Sequence, residues 1–542
     1  MSTGGMNRRT VLKAGGLMAV PGVLARADKG PSPAPVPATT FSRPPLGVSV
    51  LSRLGFGLAD GELAAFNALG PDDDARLDRW LHAQLRPQTL DDAVCEARLQ
   101  RLDSLTKPLN TLWKEYYRGA PEGDRKSEVI WTPTRETRQA VLTRMVYSRR
   151  QLHEVLTGFW RDHFNVHPDK DERIPALLPH YDATLRQHAL GNFRTLLGAV
   201  ARHPVMLYYL DNASSTRAGP NENYARELFE LHTLGAGHYR GVARQQAVPG
   251  SVVGRPEGYV DDDVYEATRV LTGWRVADDP DHEVGDDSGF VYEGQAHDRF
   301  QKTVLGRYFP PNGGVQEGEV LLDLVAAHPG TALHVAGKLA RRLIADVPPP
   351  ELVLAAAGVF TAAARAPDQL AQVVSFLARS DAFRVSWGER VRRPLETLAA
   401  AMRGLGSDLK GGELWQPGWM GHDAYDWRPP NGAPDVRAAW SGSGHMLRRW
   451  TMARALTGNW WKEIGSDVMG VTPDELKMPL ELADHWAARL LGHPLPPASR
   501  LLVARELVGD GDLKAPLGAD QRRERLPNAV AFVLMTPQFM LS

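Results

Sequence analysis

The chain of 542 residues has one cysteine, Cys95, so it forms no disulfide within itself. A Cys-rich metal site and a haem-attachment motif are excluded with it. The fold must therefore be held by burial alone, which a protein of this length can achieve. Long apolar runs are missing too. After the first 27 residues no segment approaches the ~18 apolar residues needed to span a bilayer. Net charge is nearly absent at −1. Residues 1–27 hold Arg8, Arg9, Lys13 and Arg26 and no acid, and setting aside these four positive charges leaves the remainder at −5. That balance calls for no nucleic-acid partner and no anionic membrane surface. Several catalytic motifs are also absent. His153-Glu154 is followed by Val155, Leu156 and Thr157, which is not H-E-x-x-H. Gly330–Lys338 spaces its glycines too widely for a P-loop and lacks the Ser/Thr. Ser443 lies between Gly442 and Gly444 but outside G-x-S-x-G.

What is present begins with an address. Asn7-Arg8-Arg9-Thr10-Val11-Leu12-Lys13 fits the twin-arginine export pattern. The mildly apolar stretch Ala14–Leu24, broken by Gly15, Gly16, Pro21 and Gly22, suits a signal h-region and not a stable membrane helix. Ala25-Arg26-Ala27 is a small-x-small cleavage site, so residues 1–27 read as a signal peptide of a periplasmic or secreted protein. The route carries proteins that fold before export, in keeping with the lack of disulfides. Residues 28–45, rich in Pro, Ala, Ser and Thr, read as a disordered linker.

From Leu46 onward helical periodicity dominates. Apolar residues recur at three-and-four spacing over Asp60–Ala68, Ala75–Leu85, Thr137–Trp160, Thr184–Ala201, Asn221–Leu234 and Asp261–Thr272. Further helices are predicted over Val315–Ala327, Thr331–Ala345, Glu351–Ala364, Gln369–Ser380, Val391–Leu405, His445–Leu456, Pro473–Leu491, Ala498–Leu507 and Asn528–Thr536. Asp261 is placed to cap its helix, with Gly273 just past the end. Alternating β-branched stretches are few, and Gly289–Gly294 is the best of them. The expectation is a mostly α-helical protein, a single large multi-helix domain over 46–542 with long Gly/Pro/Trp-rich loops and room for one small β-hairpin. Three long loops, Gly235–Gly258, Ala277–Phe300 and Gly406–Pro434, break the helical pattern. Trp415, Trp419 and Trp427 in the third imply that it packs against something.

A series of short motifs runs through the same span. They include Leu51-Ser52-Arg53-Leu54-Gly55-Phe56-Gly57, Phe159-Trp160-Arg161-Asp162-His163-Phe164 and Met206-Leu207-Tyr208-Tyr209-Leu210-Asp211-Asn212. Pro220-Asn221-Glu222-Asn223-Tyr224-Ala225-Arg226-Glu227-Leu228 and Glu230-Leu231-His232-Thr233-Leu234-Gly235 follow. Leu271-Thr272-Gly273-Trp274, His297-Asp298 with Lys302, Lys338-Leu339, Arg393-Pro394-Leu395-Glu396 and Pro429-Pro430-Asn431 complete the order. In these motifs the chain resembles the bacterial family called Domain of Unknown Function 1800. The resemblance implies an exported helical protein without supplying an activity. It also implies a partner, since relatives are often encoded beside an exported sulfatase-like protein. The chain departs from the family after His238, where Tyr239–Gly258 reads as an insertion and Val260 replaces a Thr.

The Asn221–Leu234 stretch has the densest polar content. Asn221 follows Pro220 as an N-cap, and Glu222 then sits in the first turn, where the helix dipole favours it. At 100° per residue Glu222, Asn223, Arg226, Glu227 and Glu230 fall on one arc. They form either a solvated face of Glu–Arg pairs or a partly buried cluster for a divalent metal ion or a substrate. Glu227 and Glu230, three apart, can share a ligand, with His163 as the imidazole of a metal set. His163 and His167 have ligand spacing on a helix, but Pro168 disfavours helical geometry at His167. His297 beside Asp298 in a loop suits an oriented base. The catalytic candidates are therefore Glu227, His163, His297 and Asp298. The binding candidates are Asn221, Glu222, Asn223, Arg226, Trp274 and Lys302. Two functions remain open. One is a metal-assisted hydrolase of the cell envelope. The other is a non-catalytic protein binding a glycan or the sulfatase-like neighbour through its Trp-rich loop.

The address makes its own prediction. Replacing Arg8 and Arg9 by Lys keeps the precursor unprocessed in the cytoplasm, because the route reads the arginine pair. Cell fractionation and immunoblotting measure this, and normal processing of the double variant refutes the reading.

Overall fold

The computed structural model describes residues 43–123, 125–282, 285–412 and 414–542. The segments read from sequence as a signal peptide, 1–27, and as a linker, 28–45, lie outside them apart from residues 43–45. Arg43–Ser542 form one compact unit. Among the described residues there are 25 helices and three two-stranded antiparallel sheets, the mostly α-helical class expected. No single described helix is long and apolar enough to cross a membrane.

The predicted helices recur with shifts at their ends, and two split. Thr137–Trp160 is two helices, Arg125–Tyr147 and Gln151–His163. The break is made from outside: the Asp92 carboxylate accepts the Ser148 hydroxyl at 2.8 Å and the Arg149 N–H at 2.6 Å. Thr184–Ala201 becomes Ile174–His188 and Phe193–Ala201, the second capped by Asn192 Oδ1 on the Thr195 N–H. The helix Asp261–Leu271 is capped not by Asp261 but by Asp263, which accepts the Val260 N–H at 3.0 Å. Gly273 sits just past its end with φ 81°, as expected.

The Ala277–Phe300 loop is largely a hairpin, with Trp274–Asp279 paired to Gly285–Tyr292. Two smaller pairs, Lys302–Val304 with Arg307–Phe309 and Asp408–Leu409 with Ile464–Gly465, had no signal in the alternation. The 239–258 insertion is tied to the body through Gln245, whose amide donates to Asp263 and to the Thr303 carbonyl. In the third loop Trp415 and Trp419 pack edge-on against Trp461, and Trp427 packs against Trp440.

One continuous apolar core runs through the molecule, and within it lies a buried ionic network. Arg342 pairs with Glu396 at 2.9 Å and with Asp435 at 2.6 Å. Arg393 pairs with Asp162 and with Glu396 at 3.1 Å, and its N–H donates to the same carboxylate at 3.0 Å. Burial pushes the Glu396 carboxyl up, but the surrounding Arg342, Arg393 and Arg390 outweigh it and hold it well below the usual carboxylate range. A cavity of about 30 Å³ lies among these groups, enough for a water molecule or two.

Removing one member of such a network leaves buried charge unmatched. Glu396→Ala is expected to cost about 3–5 kcal/mol in urea unfolding. In the wild type the Glu396 contribution is present above the ordinary glutamate range and is lost as the pH falls below it. A loss under 1 kcal/mol contradicts the network's role.

Candidate functional site

The helix Gln151–His163 ends at Phe164, whose carbonyl accepts the Tyr181 hydroxyl at 2.7 Å. Asn165 then donates through its amide to the carbonyls of Trp427 and Pro429, both at 2.8 Å. Next comes His167, in extended backbone before the short turn Pro168–Lys170. Its Nδ1 accepts the Asp169 N–H at 3.2 Å, so in the neutral ring the proton sits on Nε2. Burial lowers the His167 pKa, only partly opposed by Asp169, and the ring is neutral at pH 7.

A second wall comes from the helix Pro204–Tyr209. The Tyr209 hydroxyl donates to the Arg428 carbonyl at 2.8 Å. Asp211 follows with φ 61°, an uncommon conformation for a residue with a side chain. Its carboxylate accepts from Lys170 Nζ at 3.0 Å and Asn223 Nδ2 at 3.2 Å. The third element is the short helix Asn223–Glu227. The N-cap is Glu222, one residue later than expected, and Asn221 precedes it, its side chain accepting the Asn223 N–H at 3.0 Å. The chain then widens into a π-helical turn, Leu228–His232, closed by Thr233 Oγ1 on the Leu228 carbonyl and the Gly235 N–H on the Phe229 carbonyl. Gly235, at φ 88°, has no room for a Cβ against the His334 ring. Such turns are frequent at functional sites, although a second one, Trp113–Arg118, lies away from the cleft.

These segments enclose an open cleft of about 450 Å³. His167, Lys170, Tyr209, Asn223, Glu227 and Arg428 line it. Asn223 and Glu227, four apart, face it together. The Glu227 carboxyl has no hydrogen bond or ion pair among the described residues. Burial, and then the charge of Glu230, push its pKa up to about 7, against the opposing pull of Arg226. Its charge in turn adds to the burial that pushes the Tyr209 hydroxyl up to about 12. Arg428 pairs with Asp169 at 3.1 Å on the rim.

The other residues singled out by sequence lie elsewhere. Glu222 and Arg226 pair at 3.2 Å, and Arg226 turns towards Asp261 at 3.6 Å. The arc is thus divided: Asn223 and Glu227 line the cleft, Glu222 and Arg226 form a surface ion pair, and Glu230 does neither among the described residues. His163 is 1% exposed, packed with Phe159, Trp160 and Phe164, and donates Nε2–H to the His232 carbonyl at 3.1 Å. Among the described residues no three His, Cys, Asp or Glu side chains are grouped to hold a metal ion. Glu227, Glu230 and His163 therefore do not make the ligand set that spacing suggested, because His163 belongs to the core. His163 and His167 do not share a helix either.

His297, Asp298 and Lys302 form a second buried cluster under the hairpins. Lys302 donates to Glu317 at 2.7 Å and to the carbonyls of Asp298 and Phe300. His297 Nδ1 donates to the Thr272 carbonyl at 2.8 Å, with Nε2 3.3 Å from Glu317, and Asp298 pairs with Arg269 at 2.9 Å. Trp274 is fully buried against Gly318. None of these residues lines the cleft. Residue chemistry alone missed Lys170, Tyr209, Asp211 and Arg428. Tyr209, Asp211 and Pro430, another lining residue, stand inside the quoted motifs, which was the available signal.

A raised carboxyl pKa makes the cleft cost stability at neutral pH. As pH rises from about 4.5 to about 7 the unfolded chain loses the Glu227 proton while the folded chain keeps it, so stability falls over that window and stays lowered above it. Glu227→Gln has no such term. The melting temperature of the variant is expected to rise relative to wild type between pH 5 and pH 8. A difference that does not change with pH shows an ordinary carboxyl.

No curated protein and no solved structure matches the chain significantly. A family model does, described as Protein of unknown function (DUF1800), and it matches residues 49–541. That span contains every segment of the cleft, from His167 to Pro430. The chain belongs to the DUF1800 family.

Proposed function

We propose that the chain is an exported enzyme of the cell envelope that hydrolyses its substrate by general acid–base catalysis at the Glu227 cleft. The observation that carries this reading is a carboxyl with pKa about 7 and no partner, set in an open cleft among polar groups from separate segments. A catalytic acid–base group works best with a pKa near the operating pH. As a carboxylate, Glu227 takes a proton from water while the water oxygen bonds to the electrophilic centre. The bond to the leaving group breaks, and Glu227 returns the proton to the departing atom. His167 Nε2–H, Lys170 and Arg428 are donors for the negative charge that develops. Asp211, held by Lys170 and Asn223, fixes the geometry of the wall between them. Export rests on the Arg8-Arg9 pattern and its cleavage site.

A panel of p-nitrophenyl acetate, phosphate, sulfate and β-glucoside tests the reading between pH 5 and pH 9. Hydrolysis of one member is expected to rise through about pH 7, as Glu227 ionises. Glu227→Gln lowers kcat about 10²–10⁴-fold with the fold intact. Hydrolysis that survives in Glu227→Gln places the chemistry elsewhere.

A further inference from the structure

A groove between the helices Ser443–Thr457 and Ala519–Leu534 carries side chains that the fold leaves unused. Leu447, Trp450, Thr451 and Arg454 stand at i, i+3, i+4 and i+7 of the first helix. Asn528, Ala531, Phe532 and Met535 repeat the spacing on the second. Each set therefore shares one helix face. The two helices pack together, and their faces meet along a groove of about 510 Å³ that Trp460 and Glu506 also line. That volume is in the range of small-ligand sites.

Trp450 and Trp460 remain 46% and 56% exposed. The Arg454 guanidinium lies 5.5 Å from the Trp460 ring centre and steadies it. Arg454 makes no other side-chain interaction among the described residues, and the side chains of Glu506 and Asn528 make none. Two open aromatic faces thus stand beside a free donor, a free acceptor and an amide that is both.

We propose that this groove binds an oligosaccharide. A sugar ring presents an apolar C–H face that lies flat on an indole, while its hydroxyls both donate and accept. Arg454, Glu506 and Asn528 match that mixed demand. An apolar helix seated in the groove would leave these three heads buried without partners, at a cost of about 1–3 kcal/mol for each neutral group and more for each charge. A bilayer would bury the Glu506 carboxylate. The site shares no residue with the Glu227 cleft and stands whether or not that cleft is catalytic.

Titration calorimetry of the purified protein with cellotetraose, maltotetraose and tetra-N-acetylchitotetraose tests the proposal. One of the three is expected to bind. Trp450→Ala and Trp460→Ala each weaken that binding about 10-fold or more, as loss of an aromatic anchor does. Both positions are exposed, and unchanged thermal melts verify the fold. Glu506→Gln also weakens binding, whereas Glu227→Gln leaves it at the wild-type level. The proposal is overturned by absence of heat with all three sugars at millimolar concentration, or by binding that survives both tryptophan changes. A dimer in sedimentation that Trp450→Ala splits assigns the groove to a second copy instead. Pelleting with phosphatidylglycerol vesicles that Trp450→Ala abolishes assigns it to lipid.

Discussion

The structure depends on the matching of charge inside its core. Asp162, Arg342, Arg393, Glu396 and Asp435 come from segments far apart in the chain and meet in one buried network. A lone charge there is prohibitive, so the segments must arrive together. Asp162 lies one residue before the end of its helix, and that end leads directly to Asn165 and His167. Asp435 follows the loop that supplies Arg428 and Pro430. A Cβ on Gly432 (φ 73°) would overlap the Asp162 carbonyl oxygen, so only glycine lets the loop approach this closely. Asn165 then clamps the loop through two of its carbonyls. The network thus fixes the His167 segment and the Arg428 loop of the cleft without entering it.

Much of the helical framework was legible in the sequence because burial repeats with the helical period. The failures have separate causes. Asp92 splits the predicted Thr137–Trp160 helix from a position far earlier in the chain, and no local pattern encodes that contact. Asp263, not Asp261, caps the following helix because the cap is made by the third helical residue reaching back. The two smallest sheets have strands of two or three residues, too short for alternation to register.

The site was legible only in part, and again for a physical reason. Helical geometry groups residues by direction but says nothing about what they face. Of the arc Glu222, Asn223, Arg226, Glu227 and Glu230, the pair Asn223 and Glu227 meets the cleft, while Glu222 and Arg226 neutralise each other beside Asp261. His163 carried the expected residue type at the expected spacing, yet its neighbours are aromatic rings and a carbonyl. His297, Asp298 and Lys302 did converge, but on Glu317 and one another. Lys302 and His297 hold their segment against Glu317 of the helix Val315–Ala326, and Asp298 holds it to Arg269 of the helix Asp261–Leu271.

The same contrast separates a structural charge from a working one. Glu154, Asp182, Glu317, Glu396 and Asp435 are each buried against a cation, which keeps each carboxyl below its ordinary range despite burial. Asp423 and Asp263, both raised to about 6, still accept backbone N–H groups. Glu227 has neither a cation in contact nor a donor, although Asn223 stands one turn away and gives its amide to Asp211 instead. The unpaired Glu227 carboxyl lies in the cleft, the positive-φ Asp211 holds two of its lining residues, Lys170 and Asn223, and the π-helical turn follows Glu227 directly. Each costs stability, and nothing in the packing requires them to coincide. The Glu227 carboxyl, half-buried and without a partner in an open cleft, is a proton acceptor where solvent and a ligand can reach it.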